Sequence, residues 1–210
     1  MKLKNKMIAF TFVCFSLSCT QLIDKKEPKN SAIDTAGIMN VYVKSDQSEM
    51  DMSWCPTDYP MEHMQGNATH KLIARVIYSR PHKKGRQIFG NTNESLCMYG
   101  KPWRLGANEA TELTLFENVT IAGTAIDKGS YVLYCIPQAD KWTLILNSNL
   151  YTWGLHIDQT KDVFKTDIPV TKQGAKVENF TLFFSDTPTG ADMTMAWDDV
   201  KTILPIQFDK

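Results

Sequence analysis

From residue 70 onward, apolar and polar residues alternate in short runs separated by turn residues. In residues 71–80 every second position from Leu72 to Tyr78 is apolar, the period of a half-buried β-strand. Similar runs, rich in β-branched and aromatic residues, predict further strands at 112–117, 119–122, 131–137, 141–147, 163–170, 177–185, 193–197 and 202–208. No helical period of twelve or more residues follows the first eighteen residues.

Two of these runs are apolar on both faces. Residues 131–136 carry no polar side, and residues 180–184 include a single threonine. Strands of this kind lie in the middle of a sandwich or barrel and are covered on both sides. The pattern predicts an all-β domain, an antiparallel β-sandwich of about 8–10 short strands, with a distorted β-barrel as the alternative.

Three further segments have weaker patterns. Residues 37–44 are predicted to form either a first strand or a hydrophobic lead-in, and residues 50–64, which contain Pro56 and Pro60, are predicted to be irregular. A helical turn is expected at residues 106–110, where small residues break the alternation.

The N-terminus has the features of an export signal. Three lysines precede an apolar run, residues 7–17, that is too short to span a bilayer as a mature helix. Residues 1–18 are therefore predicted to be a signal peptide. A small residue before Cys19 resembles a lipobox, although Ser16 stands where an aliphatic residue is usual. An acylated Cys19 would anchor the protein to the membrane of a bacterial cell envelope, at the outer membrane or the periplasmic face. An ordinary secretory signal is the alternative.

The mature chain is slightly acidic. Residues 19–36 are polar and predict a flexible tether, and residues 37–210 predict a single domain. Removing residues 1–18 takes away three lysines and no acids, which leaves 20 basic and 23 acidic residues and a formal charge of −3. No basic stripe remains, so nucleic acid is not a predicted partner.

Residues 77–111 concentrate polar chemistry. Guanidinium groups that do not face water need planar acceptors, so arginines beside an aromatic residue and an acid predict an organised polar cluster. Arg104 and Glu109 form either an acid–base pair in a dry pocket or, as we favour, a buried salt bridge that holds a loop against the sheet. Trp103 and Trp153 could stack on a sugar ring or lie at the edge of the core. The residues predicted to bind a ligand are Arg80, Arg86, Trp103, Arg104, Asn108, Glu109 and Trp153.

Several motifs of the chain resemble one known family. The blocks YSRP, KGRQIFG and YGKPWRLGANEATEL, then VTIAGTAIDKGSYVLYCIP and AWDDVKTILPI, are similar to domain of unknown function 2911, found in exported proteins of Bacteroidetes and related bacteria. The resemblance covers about residues 51–208. It implies an all-β envelope domain, and it transfers neither an activity nor a catalytic residue. The run NTNESLCMYG is longer than the family's usual sequence, and Cys55 stands where an aromatic residue is expected.

Three cysteines remain besides Cys19. Because the envelope is oxidising, an exposed pair would form a bridge, and three pairings are possible. We favour Cys55–Cys97, since both lie in loop-like segments and both depart from the family pattern, whereas Cys135 lies in an apolar strand. Such a bridge would stabilise the fold by about 3–4 kcal/mol.

No catalytic or metal-binding motif is present. The histidines lack the spacing of a zinc site, and the chain has neither a GxSxG elbow nor a phosphate-binding glycine loop. No metal, cofactor or catalytic residue is therefore predicted.

Two functions are open. One is a non-catalytic, lipid-anchored envelope domain that binds a small polar or glycan ligand or an envelope partner protein. The other is an envelope hydrolase that uses the region of Arg80, Arg104 and Glu109. The missing nucleophile–base signature favours the first.

Overall fold

The computed structural model describes residues 48–67 and 69–208. The predicted signal peptide, Cys19, the tether and the segment 37–44 lie outside these residues. In the part of the chain that is described, no helix is long and apolar enough to cross a membrane.

The described chain is almost entirely β-structure. It contains eleven strands, one short α-helix and a 3-10 turn at Gln159–Lys161. The elements are β1 (Met50–Cys55), α1 (Tyr59–Met64), β2 (Ala74–Ser79), β3 (Phe89–Gly90), β4 (Cys97–Met98), β5 (Thr111–Leu115), β6 (Val119–Ile121), β7 (Thr124–Ile126), β8 (Gly129–Pro137), β9 (Lys141–Asn147), β10 (Asp162–Thr187) and β11 (Gly190–Phe208).

Nine strands form one continuous antiparallel arrangement that folds into two layers. Its order is β1-β2-β5-β8-β9-β10-β11-β6-β7, and β3 and β4 form a separate parallel pair. The first part of β10 pairs with β9 at residues 162–169, and its second part pairs with β11 from Val170 onward. Because β10 belongs to both layers, the chain passes from the first layer to the second along this strand. The arrangement begins at β1 and ends at β7, so these residues form the predicted sandwich and not the alternative closed barrel.

Two long strands replace four predicted short ones. The pairing of β10 with β11 continues through register shifts between Lys172 and Val177 and between Val177 and Thr181. Opposite these shifts, Asp198 adopts a left-handed backbone conformation, with φ of 53°. Bulges of this kind bend a strand without ending its pairing. The apolar pattern is interrupted at the bends, and for this reason the sequence predicted separate strands.

The core lies between the two layers and contains a dense aromatic group. Trp142, Trp197 and Phe180 are completely buried in it. The prediction that residues 131–136 are covered on both faces is largely confirmed, since Val132 to Cys135 are all buried. The same prediction for residues 180–184 is wrong, because Phe183 is 42% exposed.

Two local predictions were also wrong. Residues 50–64, predicted to be irregular, contain β1 and α1. Residues 106–110 contain no helical turn, because Leu105 and Asn108 have left-handed backbone conformations, with φ of 54° and 57°. Strands β3, β4 and β7 are two or three residues long, too short to give an alternating pattern.

The predicted Cys55–Cys97 bridge is absent. Cys55, Cys97 and Cys135 are free and buried. The two predicted partners have different surroundings: the thiol of Cys55 is under the influence of Asp186, whereas the thiol of Cys97 is close enough to Arg86 and Cys135 to interact electrostatically with both. The assumption that both cysteines lie in loops was the error, since Cys55 ends β1 and Cys97 begins β4.

Candidate functional site

The loop that joins β4 to β5 is attached to the sheet through Trp103. Its backbone N–H donates to the carbonyl of Cys135 at 2.7 Å, and the N–H of Cys135 donates back at 2.9 Å. The indole of Trp103 packs against four aromatic rings whose centroids lie 5.0 to 5.8 Å away. Trp103 is therefore half-buried at the edge of the aromatic core, which fixes the position of the residues that follow it.

A cleft of about 320 Å³ opens beside this loop. It adjoins a second groove of about 330 Å³, because Ser48 and Arg86 line both. Among the residues that the structure describes, no aspartate or glutamate lines either depression. The cleft is lined by Ser48, Pro81, Arg86, Leu96, Pro102, Trp103, Arg104, Gly106, Ala107, Gly154 and Leu155, and the groove adds His82 and Lys84.

Arg104 is the charged group most embedded in the cleft. Its Nη1 donates to the backbone carbonyl of Trp153 at 3.3 Å. Partial burial lowers the pKa of the Arg104 guanidinium, and the negative charge of Glu109 opposes that shift. Within the described residues no carboxylate forms an ion pair with Arg104.

The predicted buried salt bridge between Arg104 and Glu109 is therefore wrong. Glu109 is exposed, and it lines a different cavity of about 240 Å³ together with Tyr78 and Glu112. Leu105 and Asn108 lie between Arg104 and Glu109 in the loop, and both have left-handed backbone conformations. The chain therefore turns between the two charged side chains. Electrostatic attraction between them remains, but it acts over a longer distance than an ion pair.

Arg86 also lines the cleft, and its bonds go to neutral acceptors. Its Nε donates to the carbonyl of Lys83 at 3.0 Å, and its Nη2 donates to the carbonyl of His82. These bonds hold the guanidinium against its own loop without neutralising its charge. The neighbouring Lys83, by contrast, forms an ion pair of 2.5 Å with Asp198.

Arg80 does not belong to the cleft. Its guanidinium bonds Asp51 at 3.1 Å, the hydroxyl of Thr181 at 3.0 Å and the carbonyl of Phe180 at 3.3 Å. All three acceptors belong to β1 and β10, so Arg80 connects the two layers. The predicted cluster of three arginines thus divides into one structural residue and two cleft residues.

The remaining side of the cleft comes from the loop between β9 and β10. Gly154 packs so closely that a Cβ there would lie 3.0 Å from the Cβ atoms of Arg104 and Ala110. Around it Trp153 and Leu155 are 53% and 66% exposed, and Tyr151 is 89% exposed. The predicted residue Trp153 therefore directly precedes the lining residue Gly154, and about half of its side chain is open to solvent.

Sequence reasoning missed part of the site. Gly154 and Leu155 are about fifty residues from Arg104, and no motif or spacing links the two segments. His82, which was not predicted to belong to a site, lines the adjoining groove. Asn108, which was predicted to bind, is half-buried and shapes the loop through its left-handed conformation.

No metal centre is evident in this region. In the described ranges, no three histidine, cysteine, aspartate or glutamate side chains are grouped in a way that could hold a metal ion.

These features define a class of protein: a two-layered, almost all-β domain in which a loop at the edge of an aromatic core borders a basic cleft. The chain belongs to the family described as "Protein of unknown function (DUF2911)", whose model matches residues 59–206. This match confirms the resemblance that the central motifs indicated. We found no match among curated proteins or among solved structures.

Proposed function

We propose that this chain is a non-catalytic, lipid-anchored domain of the bacterial cell envelope that binds a small polar or glycan ligand in the cleft. The observation that carries the proposal is the environment of Arg104: a partly buried guanidinium in a cleft, with a carbonyl bond to Trp153 and, within the described part of the chain, no carboxylate in an ion pair with it. A buried charge without a partner is costly, and a polar ligand would supply the missing acceptors.

The size of the cleft supports a small ligand. At about 320 Å³ it is at the lower end of the range typical of small-molecule sites. Arg86 and Arg104 would provide polar contacts, and the exposed Trp153, which precedes the lining residue Gly154, would provide an aromatic surface next to the cleft. An envelope partner protein is the alternative occupant, and the exposed side chains of Tyr151, Trp153 and Leu155 favour it.

A hydrolase is the second candidate. The sequence places such a hydrolase in the region of Arg80, Arg104 and Glu109, but Arg104 and Glu109 line different cavities and Arg80 lines neither. A different pair favours it: Ser48 and His82 line the same groove as Arg86. Hydrolysis of model esters or glycosides that is lost in both Ser48→Ala and His82→Gln would favour the enzyme over the binding domain.

The binding proposal is tested with ligand screening on the purified full chain. A panel of sugars, sugar acids, amino acids and nucleotides is screened by thermal shift, and hits are measured by calorimetry. We expect at least one ligand whose affinity falls at least tenfold in Arg104→Gln, because its guanidinium bonds are lost. Lys172→Gln is the control, since Lys172 is exposed and pairs with Asp199 outside the cleft. Hits that bind Arg104→Gln as well as the parent would contradict the proposal.

The anchor rests on residues 1–19, and it has its own test. A Cys19→Ser variant should lose both acyl labelling and its place in the membrane fraction. A parent chain that carries no acyl label would exclude the lipid anchor and would leave the binding proposal intact.

A further inference from the structure

The cations around the cleft differ in how their charge is compensated. Arg80 pairs with Asp51 at 3.1 Å, and Lys83 pairs with Asp198 at 2.5 Å. Arg86 and Arg104 have backbone carbonyls as acceptors and no ion pair within the described residues. A carbonyl satisfies an N–H group but leaves the positive charge in place. The two compensated cations lie outside the cleft lining, and the two uncompensated ones are part of it.

Three of the described acids in this part of the structure have other partners or line another cavity. Glu178 accepts the backbone N–H of Lys84 at 2.7 Å, beside the adjoining groove. Glu109 influences the pKa of Arg104 but lines the separate cavity next to Glu112. Asp198 is bonded by Lys83 and lies 3.9 Å from Lys176. Among the described residues, the cleft lining thus carries two cations and no acid, although the mature chain is predicted to carry a net charge of −3.

We propose that the cleft is selective for acidic saccharides, meaning sugars that carry a carboxylate. This inference rests on the proposed function and names its ligand class. A guanidinium presents a planar set of donors that matches a carboxylate, and a charge-assisted pair of this kind is stronger than a bond to a neutral hydroxyl. Arg104 and Arg86 supply those donors. Trp153, whose carbonyl accepts the bond from Arg104, is 53% exposed beside the lining residue Gly154 and offers an aromatic face for the apolar side of a sugar ring.

The shape of the site favours a saccharide over an anionic membrane surface. Arg104 is held against the Trp153 carbonyl and is partly buried, so its charge lies within a depression. A flat bilayer would first meet the side chains that protrude, such as Tyr151 and Leu155, 89% and 66% exposed. A single charged ring can enter a volume of about 320 Å³ and reach the guanidinium.

The experiment compares matched oligosaccharides on the full chain purified in detergent. Short galacturonic acid oligomers are the acidic probe, and galactose oligomers of the same length are the neutral probe. We expect the acidic probe to bind at least tenfold more tightly and to lose affinity as salt is raised, because charged contacts are screened. Arg104→Gln and Arg86→Gln should each abolish this preference, and Lys172→Gln should keep it.

Three other results would each contradict the proposed selectivity for acidic saccharides. Equal binding of the neutral probe, with sensitivity to Arg104→Gln, would retain the cleft as a ligand site and reject the acidic preference. Binding of neither probe would reject saccharides as the ligand class. In that case, binding to phosphatidylglycerol vesicles that both arginine variants lose would assign the cationic cleft to a membrane surface. The proposed function itself fails only if no polar ligand of the broader panel depends on Arg104.

Discussion

At the residue scale, the three buried thiols of the folded protein keep their protons at alkaline pH values at which the thiols of an unfolded chain ionise. Burial is the main reason that the pKa of Cys55 is raised, to about 12, and the charge of Asp186 raises it further. Burial also raises the pKa of Cys97, against the opposing effect of Arg86. Cys135 is completely buried, and its pKa is raised by that burial and by the proximity of Cys97.

The stability of the reduced protein should therefore fall at alkaline pH. Below pH 9, the ordinary pKa of a thiol, folded and unfolded chains both keep these protons, and the contribution is fully present. Above it the unfolded chain loses them first, and stability is lost as pH rises through the folded pKa, about 12 for Cys55. At pH 10 the loss should be about 1.4 kcal/mol for each thiol.

Urea unfolding with a reductant at pH 7, 8, 9 and 10 measures this slope. In Cys55→Ala the decrease in stability between pH 7 and pH 10 should be smaller than in the parent, because one thiol no longer ionises. The variant should also be less stable than the parent at pH 7, because a buried sulfur is deleted. An identical pH slope in Cys55→Ala and the parent would show that this thiol ionises equally in both states.

The arginines show which residue-scale features a sequence can supply. Their concentration between residues 77 and 111 correctly indicated a polar region, because guanidinium groups require acceptors. The side-chain and loop acceptors of Arg80 and Arg104 could not be predicted, since they come from Asp51, Trp153 and Thr181, each distant in sequence. The nearest acid in sequence, Glu109, was a misleading choice.

At the scale of elements, the hairpin of β10 and β11 dominates the second layer. The end of strand β11 lies next to its beginning: the N–H of Phe208 donates to the carbonyl of Thr189, the residue just before the strand, at 3.1 Å. Gly190 makes this approach possible. A Cβ built on it would lie 1.9 Å from the carbonyl oxygen of Ile206 and 2.9 Å from the Cα of Gln207. Both atoms belong to the backbone, so no side-chain rotation could relieve the clash.

We therefore expect Gly190→Ala to destabilise the fold by about 3 kcal/mol or more, because the two ends of β11 must separate. Gly174→Ala, on the same hairpin, is the matched control: no atom lies within 4 Å of its added Cβ, and it should change stability by less than about 1 kcal/mol. Both are compared by urea unfolding at neutral pH. Equal, small effects would mean that Ile206 does not approach Gly190 in solution.

Strand positions were largely predictable, and their connections were not. Alternation located β2, β5, β8 and β9 to within a few residues, because each strand has one face on the core. The continuity of β10 and β11 escaped detection, since bulges at Val177 and Asp198 interrupt the alternation while hydrogen bonding continues. The cleft depends on the loop conformation around Gly106 and Gly154, which carries no periodic signal.

At the scale of the whole molecule, the two layers are joined along β1 and β10 largely by side chains and isolated bonds. The N–H of Phe184 donates to the hydroxyl of Ser53 at 3.0 Å, and the hydroxyl of Thr57 donates to Asp186 at 3.0 Å. The chain after β2 adds two backbone bonds to β10, including one from the N–H of Phe180 to the carbonyl of Pro81 at 3.0 Å. This seam lies next to the cleft, since Pro81 also lines it.

Arg80 is the side chain with the most contacts across this seam, because it bonds β1 through Asp51 and β10 through Thr181 and the Phe180 carbonyl. We expect Arg80→Ala to lower the free energy of unfolding by about 1–2 kcal/mol. The loss stays moderate because Asp51 is 43% exposed, so water screens the ion pair. Arg80→Lys should recover only part of the stability, since an ammonium cannot bond three acceptors in the geometry of the guanidinium. Lys172→Ala, which breaks an exposed pair with Asp199, is the control and should stay within about 0.5 kcal/mol of the parent. If Arg80→Ala instead matches this control in urea unfolding while weakening ligand binding, then Arg80 belongs to the binding site and the layers are held together without it.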